Sequence, residues 1–297
     1  MELAFAIAAL VTAAAAIVIQ NTRHARVRRR LTRLERRDAE LLGLLKATAA
    51  RRAHTGDPGS PPVLRAEFGE DLLCLELFGW KPNGYYIEVG AYDGERYAIT
   101  AAMDTLGWHG LLIAPVPDLC DRARANRPNA RVVNAAVSKK GSAGTATMTH
   151  ILPGDPDADT QSANAPDASS HLNTSSGNLA TNRPPAGNER TIEVPLTTID
   201  DLLRDHSGPI DLASIDVEGH ELDLLDGFDL DRFRPAAILI EDHAMRDESP
   251  VAAHLRGRGY THTAWFAWNR LFVRTDQPTL IARAREILQH LEHPPSR

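Results

Sequence analysis

Residues 84–94 combine a short apolar strand with a loop punctuated by glycines. Tyr85–Val89 is rich in aromatic and β-branched residues, which favours a strand, and residues 95–106 show a helical pattern. A strand that passes into a helix through a tight loop presents backbone N–H groups to a ligand. Gly90 would let a ligand approach the backbone, and Glu88 places a carboxylate at the same mouth. An acidic residue two positions before the glycine suits a positively charged ligand, and no third glycine follows to complete a dinucleotide fingerprint.

Several further motifs follow this loop along the chain. Residues 212–222 read Leu-Ala-Ser-Ile-Asp-Val-Glu-Gly-His-Glu-Leu, and they are accompanied by Gly107-Trp108, Pro115-x-Pro117, Asn134-Ala-Ala-Val137 and Ile238-Leu-Ile-Glu241. Between residues 85 and 273 this set resembles the FkbM family of S-adenosylmethionine-dependent methyltransferases. The resemblance implies a class I methyltransferase (Rossmann-like) α/β fold, with a mostly parallel seven-stranded sheet flanked by helices. Composition and spacing alone predict only an α/β nucleotide-type fold.

Charge is unevenly distributed along the 297 residues. Residues 1–56 hold 11 Lys and Arg against 4 Asp and Glu, a net +7. Because the whole chain carries −6, the remaining residues carry −13. An acidic body argues against a nucleic-acid partner, whose phosphates require a basic surface. The two cysteines, Cys74 and Cys120, form no disulfide framework or metal-binding spacing, which is typical of a reducing compartment.

The N-terminal region has the pattern of a membrane anchor. Residues 3–19 are apolar except for Thr12 and would span about 26 Å as a helix, near the lower limit for a bilayer core. Six arginines between positions 23 and 33 follow this run, so the positive-inside rule places the remainder of the chain in the cytoplasm. The sequence thus predicts a transmembrane anchor at 1–22 and a single-pass membrane protein with its catalytic domain on the cytoplasmic side. A cleaved signal peptide is the alternative.

Residues 23–62 form a predicted basic helical stalk followed by a Pro/Gly linker. Apolar residues at heptad spacing allow a homodimer through the stalk, but a basic helix lying on anionic headgroups explains the same residues. Residues 63–297 then form the predicted methyltransferase domain, in which alternating strands and helices imply parallel pairing. Within it, residues 153–188 are a polar, Ser/Asn/Pro-rich insertion, either a substrate lid or a flexible loop.

The resemblance also implies a site beyond the carboxyl ends of the strands, where S-adenosylmethionine and an acceptor would meet. A hydroxyl acceptor needs a base to take its proton; Asp216 is the first choice, with His243 and His220 as alternatives. Glu218 could equally cap the following helix. The expected cofactor-binding residues are Glu88, Gly90, Ala91, Tyr92, Asp93, Gly94, Ala114 and Asp216.

A divalent metal is an open alternative at this edge but is not predicted. Asp216, Glu241 and Asp242 would be its ligands, since all three follow or end predicted strands.

Two positions depart from the family pattern. Relatives typically end the second strand with Ile-Glu-Pro, the glutamate holding the cofactor ribose, whereas this chain has Ile113-Ala114-Pro115. Relatives often carry Ser-Asn after the glycine loop, where this chain has Ala98-Ile99. The expected function is a membrane-anchored O-methyltransferase that acts on a hydroxyl of a sugar or polyketide-type small molecule. The alternative is a non-catalytic or cofactor-impaired binding or scaffold protein on a degenerate methyltransferase fold. A nicotinamide dehydrogenase ranks third.

Overall fold

The computed structural model describes residues 62–151, 170–173, 189–244 and 246–292. All of them belong to one compact unit, Ala49–Arg297. Its eleven strands in the described residues are β1 Tyr85–Val89, β2 His109–Ile113, β3 Arg131–Val133, β4 Ala136–Val137, β5 Gly144–Ile151, β6 His171–Leu172, β7 Glu189–Thr197, β8 Leu212–Ile215, β9 Ala237–Glu241, β10 Tyr260–Phe266 and β11 Asn269–Arg274. Its helices there are α1 Glu70–Leu77, α2 Ala101–Asp104, α3 Pro117–Asn126, α4 Ile199–Leu202, α5 Glu221–Asp226, α6 Pro250–Gly257 and α7 Pro278–Glu292.

The main sheet has seven strands in the order β10-β11-β9-β8-β1-β2-β3. The strands β3, β2, β1, β8 and β9 pair in parallel, and β11 runs antiparallel to both of its neighbours, β9 and β10. Helices connect the parallel strands, as parallel pairing requires. This is the class I methyltransferase-like α/β arrangement that the sequence predicts. A second sheet has four strands in the order β4-β7-β5-β6. In sequence, these strands lie between β3 and β8 of the main sheet.

Near-continuous apolar runs explain why the central strands are buried on both faces. Successive residues of a strand point to opposite faces, so each strand contributes to two separate apolar cores. One core contains Ile87, Ile113, Ile215 and Ile240, one from each of four adjacent strands. The opposite core contains Tyr86, Leu112, Leu212 and Leu239 from the same four strands.

The described structure differs from the predicted elements in two places. The sequence favours a single strand over residues 131–137, but the structure divides it, because β3 joins the main sheet while β4 pairs with β7 in the second sheet. The helix predicted over residues 95–106 is reduced to Ala101–Asp104. The preceding segment is held out of helical conformation because the Glu88 carboxylate accepts hydrogen bonds from Ile99 N and Thr100 Oγ1.

The predicted single-pass membrane localisation is contradicted. Among the described residues, no helix has both the length and the apolar character needed to cross a bilayer. The apolar run 3–19, residues 23–61 of the predicted stalk and linker, and most of the insertion 153–188 lie outside the described residues. The structure therefore lends no support to the anchor, the cytoplasmic orientation or a homodimer through the stalk.

Candidate active site

Four adjacent strands of the main sheet end side by side. Val89 pairs with both Ile113 and Ile215, and Ile215 pairs with Ile240. The next residues along these strands are therefore neighbours at one edge of the sheet, in the order Ala114, Gly90, Asp216 and Glu241. In open parallel sheets, ligands bind beyond this edge.

Gly90 is required by the neighbouring strand. Its φ is +86°, and a Cβ atom at this position would lie 2.0 Å from the carbonyl oxygen of Asp216. The N–H groups of Gly90 and Ala91 both donate to the carbonyl oxygen of Ile113, each at 3.1 Å. These two N–H groups thus close the junction between β1 and β2, so the glycine serves the contact between strands here.

The remainder of the loop is held by local contacts. Asp93 Oδ1 accepts hydrogen bonds from the backbone N–H groups of Glu95 and Arg96, at 3.0 and 2.8 Å. Gly94 donates its N–H to Ala91 O at 2.8 Å and has a φ of +76°. Tyr92 also has a positive φ, 49°, and packs against the apolar side chains beneath α3. A non-glycine residue in the left-handed region is uncommon and is found preferentially at functional loops.

Glu88 points inward, into a buried polar network. Besides Ile99 N and Thr100 Oγ1, its carboxylate lies 3.6 Å from Arg127 Nη1. Arg127 also donates from Nε to Asp104 Oδ2 at 2.6 Å and from Nη1 to Gly94 O at 3.2 Å. This network joins β1, the glycine loop, α2 and the end of α3, and it therefore fixes the loop that lines the strand edge.

An acidic recess, consisting of Asp216, Glu218, Glu241 and His243, occupies the ends of β8 and β9. Glu218, Glu241 and His243 each offer a ligand atom, and these atoms all lie within 4.8 Å of one another. His243 Nε2 is 3.1 Å from Glu241 Oε2. The recess draws on two pairs of residues two positions apart, 216/218 and 241/243, which lie where β8 and β9 end.

Burial raises the pKa of each carboxyl group of the recess. Burial, followed by the charges of Asp216 and Glu241, raises the pKa of Glu218 to about 9. Burial and the charge of Asp216 raise the pKa of Glu241 to about 10, and burial also raises that of Asp216. Asp216 is nevertheless exposed to solvent.

Glu67, from the segment before α1, adds a further carboxylate close enough to affect the recess. Burial and then the charge of Asp216 raise the pKa of Glu67, while Arg96 opposes this. In the described structure, Glu67 Oε1 and Glu241 Oε2 are buried oxygens without a hydrogen bond. Buried acceptors without donors favour a cationic ligand.

Asp242 lies outside the recess, although it is between two of its members in sequence. Its carboxylate accepts hydrogen bonds from Ser249 Oγ, from Ala244 N at 3.1 Å and from Arg270 Nη1 at 3.1 Å. Arg270 is fully buried and stacks on Trp265, its guanidinium carbon 4.4 Å from the ring centroid. This arrangement anchors the chain immediately after β9. The metal alternative through Asp242 therefore does not match the structure, in which His243 occupies the corresponding place.

His220 and Ala114 lie near the same edge of the sheet, but their contacts are with residues outside the acidic recess. His220 is buried, and its Nε2 is 2.9 Å from Ser138 Oγ and 3.6 Å from Asp223 Oδ2. Ala114 is 1% exposed, and its carbonyl oxygen accepts a hydrogen bond from Asn134 Nδ2 at 2.9 Å. The structure thus brings Asp216 and His243 together and directs His220 toward Ser138.

Sequence reasoning left Glu218 open between the site and the cap of the following helix, placed Glu241 only among the ligands of a metal alternative, and did not identify Glu67 or Arg127. Glu218 and Glu241 lie within two of the motifs that carry the family resemblance, residues 212–222 and Ile238-Leu-Ile-Glu241, and this was the signal for them. Glu67 and Arg127 lie far from the motifs in sequence and reach the site only through the packing of the chain. No local pattern indicates them.

Comparisons with known proteins agree with this topology. The model of the Methyltransferase FkbM domain matches residues 88–273, which is more than half of the chain. No curated protein matches. Among solved structures, the chain is similar to the METTL16 MTase domain, at 14% identity over 73% of this chain and 70% of that one, with a TM-score of 0.39. It is also similar to a TehB-like SAM-dependent methyltransferase from Corynebacterium glutamicum, at 13% identity over 80% and 98% of the two chains, with a TM-score of 0.34.

A third solved structure is the O-methyltransferase from Bacillus cereus in complex with SAH, at 12% identity over 80% of this chain and 90% of that one, with a TM-score of 0.33. Similarities at these TM-scores do not indicate which acceptor this chain methylates. The family match, together with the sheet order and the antiparallel β11, is sufficient for the family. The chain belongs to the FkbM methyltransferase family, and S-adenosylmethionine is its methyl donor.

Proposed function

We propose that this methyltransferase transfers the methyl group to a hydroxyl oxygen of a small molecule of the sugar or polyketide type. The observation that carries the proposal is the acidic recess, which is open to solvent and adjoins the glycine loop at the same strand edge. A hydroxyl is a poor nucleophile until its proton is removed, and a carboxylate at the reacting oxygen meets that need. An acidic surface also disfavours a phosphate-rich acceptor.

Asp216 is the proposed base. S-adenosylmethionine, when bound, supplies a methyl group on a sulfonium sulfur that departs as a neutral thioether. Asp216 takes the hydroxyl proton while the oxygen lone pair forms the new bond to the methyl carbon, so the positive charge of the sulfonium leaves as that proton. Most of the rate enhancement would come from holding the two reactants in line, and the base adds a further factor.

The neighbours of Asp216 support this choice over the histidines. Burial raises the pKa of Asp216 above its usual value, which makes its carboxylate a stronger base than an exposed aspartate. His243 is 49% exposed and is turned to Glu241. His220 is buried with its Nε2 beside Ser138. Asp216 is the member of the set that is both accessible and next to the glycine loop.

The cofactor ribose lacks its usual partner at Ala114. Two charge-assisted hydrogen bonds to a diol contribute about 1.5–3 kcal/mol each before desolvation is deducted. Their loss weakens cofactor binding by roughly ten- to a few hundred-fold, since 1.4 kcal/mol is one decade. Asp118, the nearest acidic residue after this strand, is exposed and pairs with Arg190 at 3.5 Å. We therefore expect S-adenosylmethionine to bind weakly.

Asp216→Asn tests the role of the base. The full chain is incubated with S-adenosylmethionine and a panel of monosaccharide and polyketide alcohols, and release of the demethylated cofactor is measured. The variant should lose about 10²-fold in turnover or more, with little change in cofactor affinity. Asp121→Asn is the matched control, because this carboxylate is exposed on α3 and pairs only with a residue of its own helix. Unchanged turnover in Asp216→Asn would remove Asp216 from the chemistry.

A further inference from the structure

Three side chains of the acidic recess converge as metal ligands do. Ligand atoms of Glu218, Glu241 and His243 lie within 4.8 Å of one another. Two atoms bound to one ion at about 2.1 Å are separated by about 3–4.2 Å. Each side chain would therefore shift by about 1 Å or less to coordinate a common ion. Carboxylate clusters are common without metals, so convergence alone is insufficient.

A second observation points to a cation at this place. Glu241 is only 9% exposed, and its Oε2 has no hydrogen bond in the described structure. His243 Nε2 lies 3.1 Å from this oxygen but forms no hydrogen bond with it. A buried carboxylate oxygen without a donor is costly, and a coordinated cation would remove that cost.

We propose that Glu218, Glu241 and His243 bind a divalent first-row cation. Two carboxylates and one imidazole suit Mn²⁺, Fe²⁺ or Zn²⁺, whereas Mg²⁺ prefers an all-oxygen shell and sheds its water reluctantly. Positions left open on the ion would hold the acceptor hydroxyl beside Asp216. That role rests on the proposed function, but binding of the cation does not.

The surroundings are suited to such a site. Asp242, fixed by Arg270 and Ser249, anchors the chain between Glu241 and His243 and so limits the directions that these ligands can take. Glu218 has a left-handed backbone, with φ of 53°, immediately before Gly219. Such strain is typical of positions selected for their side-chain direction. The exposure of His243 and Asp216 leaves a path for an ion from solvent.

Mn²⁺ binding to the full chain is the test, measured by electron paramagnetic resonance of the free ion after removal of metals with a chelator. One ion per chain is expected, displaced by Zn²⁺ at comparable concentration and by Mg²⁺ only at tenfold or greater excess. His243→Ala, at an exposed position, should weaken binding by tenfold or more, and the double variant Glu218→Gln/Glu241→Gln should abolish it. Glu193→Gln, an exposed carboxylate on β7, is the matched control and should bind as the parent does.

Absence of stoichiometric Mn²⁺ binding, or equal binding by His243→Ala and Glu193→Gln, would overturn the proposal. Circular dichroism checks the fold of each variant, and His243→Ala keeps the test valid if the double variant does not fold. Cofactor titration on the same samples separates the two proposals. If the chain binds S-adenosylmethionine but does not bind Mn²⁺, the proposed function stands and the cation site is rejected.

Discussion

Replacing Arg127 by methionine should both destabilise the protein and loosen its glycine loop. Arg127 is 3% exposed and donates to Asp104, to the carbonyl oxygen of Gly94, to Tyr86 Oη at 2.8 Å and to Thr100 Oγ1 at 2.9 Å. Burial alone lowers the pKa of this guanidinium, but the hydrogen bond to Asp104 and the charge of Glu88 together raise it above its usual value. The group is therefore charged at any pH at which the protein is folded.

The magnitude follows from the carboxylates that the substitution leaves behind. The side chains of Glu88 and Asp104 are 5% and 18% exposed, so neither regains full hydration when the guanidinium is removed. Breaking a buried ion pair by removing one partner costs about 3–5 kcal/mol. Native domains are stable by only about 5–15 kcal/mol, so this is a large fraction of the total. Arg127→Lys should give an intermediate loss, because one ammonium cannot replace the planar fork of donors.

Urea unfolding followed by tryptophan fluorescence measures the effect. A slope of about 3 kcal/mol per molar converts the loss into a midpoint about 1–2 M lower. Arg122→Met, an exposed position on the same helix, should change the free energy of unfolding by less than about 0.5 kcal/mol. The network does not fix the loop if two results are found together. The free energy of unfolding of Arg127→Met would lie within about 1 kcal/mol of that of the parent, and the variant would bind S-adenosylmethionine as well as the parent does.

Two further substitutions test the fold around the site. Burial raises the pKa of Glu70 from 4.5 to about 7. The folded state thus keeps a proton that the unfolded state releases, and stability falls as pH rises from about 4.5 to 7. Glu70→Gln has no such proton to lose. Its free energy of unfolding, measured by urea titration, should therefore rise by up to about 3 kcal/mol relative to that of the parent between pH 4 and pH 8. A difference that stays constant over this range would show that the pKa of Glu70 is not raised by folding. Gly90→Ala should destabilise by at least about 2 kcal/mol more than Gly141→Ala, because both glycines have positive φ but only Gly90 would direct its Cβ onto Asp216 O. Equal losses would mean that the β1–β8 contact is not tight.

The parallel pairing was predictable because apolar strands alternate with helices, and the strand Tyr85–Val89 was placed correctly. The short helix α2 was not predictable. Residues 95–106 have helical periodicity, but Glu88 and Arg127, which lie elsewhere in the chain, hydrogen-bond to Ile99 and Thr100 and hold this part of the segment out of a helix. Tertiary contacts here override local propensity.

The candidate site was also predictable only in part. Asp216 was predicted because it ends a strand within a recognisable motif. The arrangement of Glu218, Glu241 and His243 depends on which way each side chain turns after the strand ends, and on the Asp242–Arg270 anchor. Ala114 differs from the family pattern at a position that is fully enclosed, so its effect on the cofactor is a matter of affinity that only measurement gives.

Isothermal titration calorimetry of the full chain with S-adenosylmethionine tests the central claim most directly. The claim is that the edge formed by Ala114, Gly90, Asp216 and Glu241 binds this cofactor despite the missing ribose carboxylate. We predict saturable binding of one cofactor per chain, in the weak range that the loss at Ala114 implies, and little change in Asp216→Asn. Absence of a saturable heat up to millimolar cofactor, for a chain shown by circular dichroism to be folded, would contradict the account.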